Sequence, residues 1–264
     1  MILAGLALLA IGTADLVRAF VRARRWIGFA LVALVVIAIG VWAAAPLPIA
    51  VALASAALWL WLVPHAGGGR AGAWPMLGLL VVCFGGILLS GGGARGGGGA
   101  LAELAPIVSP FGPLPLADLV LLVGAVVFLL ESGNVIVRSA LALEGVVRSP
   151  EDGVGQDVPG APPLPPPLPP QPAQPPTARA PALKGGRLIG PLERLLVFAL
   201  TLAGAYTLLA AVIAAKGIVR FPEISRDGEN GDRAEYFLVG SMVSWVTALA
   251  AVFLVWWTLG AGGV

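Results

Sequence analysis

The chain has 264 residues, a formal net charge of +2 and only 11% charged residues, with a mean hydropathy of +0.94. Soluble domains carry about a quarter charged residues, so this composition excludes an ordinary soluble globular protein and describes a chain whose solvent is a lipid bilayer. The basic groups sit at the ends of apolar runs, which argues against a nucleic-acid partner, and the single Cys83 permits no intrachain disulfide.

A helix needs about 20 apolar residues to cross the hydrocarbon core. Apolar runs of suitable length predict an all-α transmembrane bundle of about seven spans, near residues 1–17, 26–45, 47–63, 73–90, 114–137, 191–216 and 236–259. The first run has no positive charge ahead of it. Arg18, Arg22, Arg24 and Arg25 follow it, so it reads as a spanning helix and not as a cleaved leader. Pro46 and Pro48 bracket a turn between the second and third helices. Trp26, Trp42, Trp59, Trp61, Trp74, Trp256 and Trp257 fall near predicted helix ends, as an interfacial aromatic belt would. Only Trp245 lies well inside a span.

Two stretches are not membrane. Gly91–Gly99 reads as a glycine-rich loop without the Lys-Ser/Thr ending of a phosphate loop. Residues 149–185 form a proline-rich linker whose core, from Pro162, favours polyproline II. It divides a five-helix module, 1–148, from a C-terminal transmembrane hairpin, 186–264. The linker is either a semi-rigid spacer or a PxxP ligand presented to the cytoplasm. Orientation follows from the distribution of Lys and Arg. With seven spans and the N-terminus outside, eleven basic residues fall in the cytoplasm and five outside, four of the five within 216–233.

The fifth span holds the most informative polar residues. Glu131, Asn134 and Arg138 recur at i, i+3 and i+7, on one helix face that Gly124 continues. Asp15 and Arg18 repeat the pattern at the inner end of the first span, with Arg22 one turn beyond, so both stripes point to one leaflet. An intramembrane carboxylate usually faces a partner or a wet cavity. The cluster is thus either a polar cleft on a substrate or proton pathway, or an ion-pair network gluing helices together. Gly190-Pro191 opens the sixth helix, with Glu193 and Arg194 in its first turns. Ala199, Ala203, Thr207 and Ala211, continued by Ala215, form a small-residue stripe. Gly240, Ser244 and Ala248 form its counterpart, so these helices are expected to pack on each other or on a second copy.

Metal and catalytic motifs do not emerge. Asp227, Glu229 and Asp232 lack the order of a calcium loop, and His65, the one histidine, has no ligand-spaced neighbours. No cofactor is expected. Glu131 with Glu193 is the one pair that could serve an intramembrane enzyme.

Gly190-Pro-Leu-Glu-Arg-Leu-Leu, Ala214-Ala-Lys-Gly-Ile-Val-Arg-Phe, Ala234-Glu-Tyr-Phe-Leu-Val-Gly-Ser and the element Glu131-Ser-Gly-Asn134 with Arg138 resemble parts of an uncharacterised family of bacterial multi-pass membrane proteins. The resemblance covers about a third of the chain. It implies a bacterial integral membrane protein, brings no activity, and marks Glu131, Asn134, Arg138, Glu193, Arg194, Lys216, Arg220, Glu235 and Ser241 for testing. The expected function is that of a multi-pass inner-membrane protein, a small transporter-like or membrane-assembly component, with a scaffold presenting the proline-rich linker as the alternative. Its expected partners are the lipid bilayer and a second copy or another membrane protein. The substrate is not specified by the sequence.

Overall fold

The computed structural model describes residues 1–21, 23–63, 74–89, 107–109, 112–143, 186–225 and 232–260. Arg22, His65, the Gly91–Gly99 loop, the proline-rich linker, Asp227 and Glu229 lie outside the described residues. The described chain is helical: α1 (Ile2–Phe20), α2 (Arg25–Trp42), α3 (Pro46–Leu62), α4 (Trp74–Leu89), α5 (Leu116–Leu143), α6 (Gly186–Leu202), α7 (Tyr206–Ser225) and α8 (Asp232–Gly260). A minimal antiparallel pair, β1 (Ile107–Ser109) and β2 (Gly112–Leu114), precedes α5.

Four helices, α1, α2, α5 and α8, are long and apolar enough to cross a membrane. The stretches Pro46–Leu62, Trp74–Leu88 and Tyr206–Val219 are apolar but shorter. Asp118 does not shorten α5. The helix runs from Leu116 past Glu131 to Leu143, as the spacing of its charges requires.

The core is built around α1, which packs on α5, α3, α2 and α4. Its seam with α5 is a backbone-to-backbone contact. A Cβ on Gly5 would lie 2.8 Å from the backbone N of Leu121, one on Gly12 would lie 2.7 Å from that of Phe128, and one on Gly124 would lie 2.6 Å from the Gly5 carbonyl. In lipid no hydrophobic force drives helices together, so close approach through small residues supplies the packing energy. Gly124, seven residues before Glu131, thus serves the seam against α1.

The contacts fix helix direction. Gly5 opposite Leu121 and Gly12 opposite Phe128 make α1 and α5 parallel. Gly28 against Val17 and Gly40 against Leu6 make α2 antiparallel to α1, Arg18 bonded to the Val63 carbonyl makes α3 parallel to it, and Gly86 against Leu3 makes α4 antiparallel. At its start α8 lies beside the end of α5, where Gly240 faces Val137. Its later turns reach α4, where Phe253 and Phe84 stack with centroids 5.7 Å apart. Helix α8 is therefore antiparallel to α5.

This corrects the expected single span over 191–216. The helix stops at Leu202 in a glycine-terminated turn. Gly204 takes φ +67°, its N–H bonds the Thr201 carbonyl (3.1 Å), and the Ala205 N–H bonds the Leu200 carbonyl (2.9 Å). This double bond pattern ends helices at a left-handed residue. Helix α7 then runs back, and Lys216 returns to Glu193. Helix α6 also begins at Gly186, earlier than expected, so Pro191 lies inside it and not at its first turn.

The turn also separates the expected small-residue stripe. Ala199, Ala203, Thr207, Ala211 and Ala215 are exposed. Ser244 and Ala248 are buried within the bundle, and Gly240 is partly buried. Small residues do make a tight seam in this fold, but it joins α1 to α5.

Candidate polar layer

Four consecutive residues of α5, Glu131-Ser132-Gly133-Asn134, serve two neighbouring helices, α1 and α6, because successive residues turn by about 100° around a helix. Ser132 points to α1. Its hydroxyl donates to Asp15 Oδ2 at 2.7 Å, and the indole N–H of Trp59 on α3 donates to the same oxygen at 3.0 Å. Asp15 has no exposed surface, and Arg18 Nη1 lies 3.6 Å from its other oxygen. Arg18 Nη2 donates to the Val63 carbonyl at 2.9 Å, and the Trp59 ring stacks edge-on against Phe128. A carboxylate taken into a dry interior needs such partners to offset its lost hydration.

Glu131 and Asn134 turn toward α6. Glu131 is 3% exposed. It accepts from Asn134 Nδ2 at 3.1 Å and pairs with Arg138 Nη2 at 3.5 Å, so the expected single face is realised. Asn134 uses its other end on Arg194, whose Nη2 donates to Asn134 Oδ1 at 2.6 Å. Arg194 is 1% exposed and lays its guanidinium across α5, where Nε donates to the Leu129 carbonyl at 2.9 Å. A planar fork of donors suits this double task, which a lysine could not perform. Gly133 makes the space, since a Cβ there would collide with Arg194 Nε and lie 2.8 Å from Cζ.

A third cluster faces α8. Glu193 Oε1 is paired with Lys216 of α7 and accepts the Trp245 indole N–H at 2.8 Å. The Lys216 ammonium stands 5.4 Å from the ring centroids of both Phe237 and Trp245, within cation–π range. The otherwise puzzling Trp245, far from any helix end in the sequence, is thereby explained. None of the residues from Tyr206 to Val219 is fully buried, so this cluster is the main polar tie between α7 and the bundle.

Comparison with protein-family models, curated proteins and solved structures finds no match.

The layer therefore gathers Asp15, Arg18, Glu131, Asn134, Arg138, Glu193 and Arg194 at one level of the bundle. It adds Trp59, Ser132, Lys216 and Trp245, which the helical spacing of charges does not reveal. Trp59 and Ser132 carry no signal of their own beside so many apolar and small neighbours. Glu131 is ion-paired to Arg138 and Glu193 to Lys216. No group of three or more metal-ligating side chains occurs among the described residues. Ser241 is buried and Glu235 exposed, while the side chain of Arg220 lies outside the described residues.

Proposed function

We propose that this chain is a multi-pass bacterial inner-membrane protein that works as a membrane-assembly component, with the polar layer as a structural clamp. The carrying observation is the pairing at Glu131, Asn134 and Arg194. Glu131 is held by Asn134 and Arg138 of its own helix, Asn134 is bonded in turn by Arg194 of α6, and Arg194 uses α5 backbone carbonyls as well as that side chain. A substrate or proton path would instead need such groups to be open to a solvent-filled passage. The ties run from α1 and α3 through α5 to α6, α7 and α8, so the layer positions the C-terminal helices on the N-terminal module.

Replacing Glu131 by Gln tests this reading. One carboxylate then no longer balances Arg138 and Arg194, and a lost partner in a buried charge cluster costs about 3 kcal/mol or more. The thermal midpoint in detergent is expected to fall by several degrees. A Glu131→Gln protein with an unchanged midpoint would point to a transport role and against the clamp.

The same reading includes a topology with the proline-rich linker in the cytoplasm. Because α7 returns beside α6 and α8 is antiparallel to α5, α7 ends and α8 begins toward the face where α1, α3 and α5 end. That assignment groups Lys216, Arg220, Arg226 and Arg233 with the other eleven basic residues, and leaves Arg95 alone on the opposite face. Fifteen against one is a far stronger bias than the eleven against five of seven alternating spans, and the basic face is the cytoplasmic one by the positive-inside rule. In a Cys83→Ser background, Gly231→Cys is expected to react with an impermeant thiol reagent from the same side as Gly153→Cys and the opposite side to Gly97→Cys. Labelling of Gly231→Cys together with Gly97→Cys would restore the seven-span order.

A further inference from the structure

We propose that Arg24 and Arg25, at the start of α2, bind the headgroups of anionic phospholipids in the leaflet they face. The inference rests on the membrane reading above but on different residues. Helix α1 ends at Phe20 and α2 begins at Arg25, and Arg24 closes the turn in the left-handed region at φ 53°. Arg24 and Arg25 are both exposed.

Arg18, one turn earlier, shows what a compensated arginine looks like here. It spends its donors inward, on Asp15 and the Val63 carbonyl. Arg25 has only a local bond from Nε to the Val21 carbonyl, and no carboxylate lies beside either Arg24 or Arg25 among the described residues. The sequence offers none nearby, since no Asp or Glu occurs between Asp15 and Glu103. Asp15 is already engaged by Arg18, Ser132 and Trp59. Among the described residues, the guanidiniums of Arg24 and Arg25 face no carboxylate.

The flanking side chains select a lipid over a soluble anion. Phe20 is 63% and Trp26 70% exposed, one on either side of the arginines. Aromatic rings at the ends of spans sit at the headgroup level, which sets the guanidiniums at phosphate depth. Arginine presents its donors as a fork that matches phosphate oxygens, and basic residues beside a span are attracted to anionic lipid. Phosphatidylglycerol supplies both the phosphate and the net negative charge.

The test uses the full chain purified in a neutral detergent, titrated with phosphatidylglycerol or phosphatidylcholine. Thermal midpoint and retained lipid, counted by native mass spectrometry, are the readouts. Phosphatidylglycerol is expected to raise the midpoint and to be retained, and phosphatidylcholine to do neither. Arg24→Gln with Arg25→Gln should weaken phosphatidylglycerol binding roughly thirtyfold, from the attraction of two basic residues to an anionic surface. Arg24→Lys with Arg25→Lys should keep most of it. An undiminished effect in the double glutamine protein would overturn the proposal, as would an equal effect of phosphatidylcholine or of inorganic phosphate on the wild type. A chain that stays dispersed and folded without detergent would count against the membrane reading itself, whereas a detergent-dependent chain indifferent to phosphatidylglycerol would count only against this site.

Discussion

Arg194→Leu is expected to destabilise the protein by about 3–5 kcal/mol, the cost of breaking a buried charge cluster by removing one member. The guanidinium is 1% exposed and bonds the Leu129 carbonyl and Asn134 Oδ1. Without it, Asn134 Oδ1 loses its donor, and Glu131 keeps its pair with the partly exposed Arg138. Equilibrium unfolding from mixed micelles, followed by helical circular dichroism, would read the loss. Arg194→Lys should recover part of it, because the charge remains while the fork that spans a carbonyl and an amide does not. Gly133→Ala should resemble Arg194→Leu, since its methyl group would occupy the space of the guanidinium. A double Glu131→Leu/Arg194→Leu protein should lose less than the sum of the single changes, because neither charge is left stranded. Strict additivity would mean that the two residues do not share a network.

Gly12→Ala is the second substitution expected to have a large effect. The new Cβ would lie 2.7 Å from the backbone N and 2.8 Å from the Cα of Phe128, and these atoms cannot rotate aside. The helices must separate instead, and overpacking of this kind costs about 1–3 kcal/mol. Alanine favours helix over glycine by about 1 kcal/mol, so the sign depends on whether crowding exceeds propensity. Contact with backbone makes crowding the larger effect, and Gly12→Val should be worse. Gly78→Ala is the control, because nothing lies within 4 Å of its Cβ position and only the propensity gain remains. If Gly12→Ala melted at or above the wild-type temperature, the α1–α5 seam would not be a tight backbone-to-backbone joint.

Much of the architecture is legible along the chain because it depends on local geometry. Hydrophobic length marks α1, α2, α5 and α8 as membrane helices, since 1.5 Å of rise per residue must match a hydrocarbon thickness. The i, i+3, i+7 spacing puts Glu131, Asn134 and Arg138 on one face before any tertiary contact forms, and the structure finds them bonded to one another. The common level of the Asp15 and Glu131 stripes follows from α1 and α5 running in one direction, and Ser132 joins them.

The break at Gly204 is a case between the two. A glycine can end a helix, but Gly204 lies in an uncharged run from Leu195 to Ala215 that matches one full crossing, so length masks the stop signal. Only the return of Lys216 to Glu193 decides that the run is a hairpin, and with it the direction of α8. The small-residue seam is a related case. With 36 glycines in 264 residues, small-residue spacing recurs throughout the chain and cannot say which stripe meets another helix. What the sequence by itself determined was the solvent, the helical class and the polar face within α5, because each is set by residues a few positions apart. Which arginine reaches that face, which glycines admit a second backbone and which way the last helix runs were decided by the tertiary structure, because each depends on how segments tens of residues apart pack together.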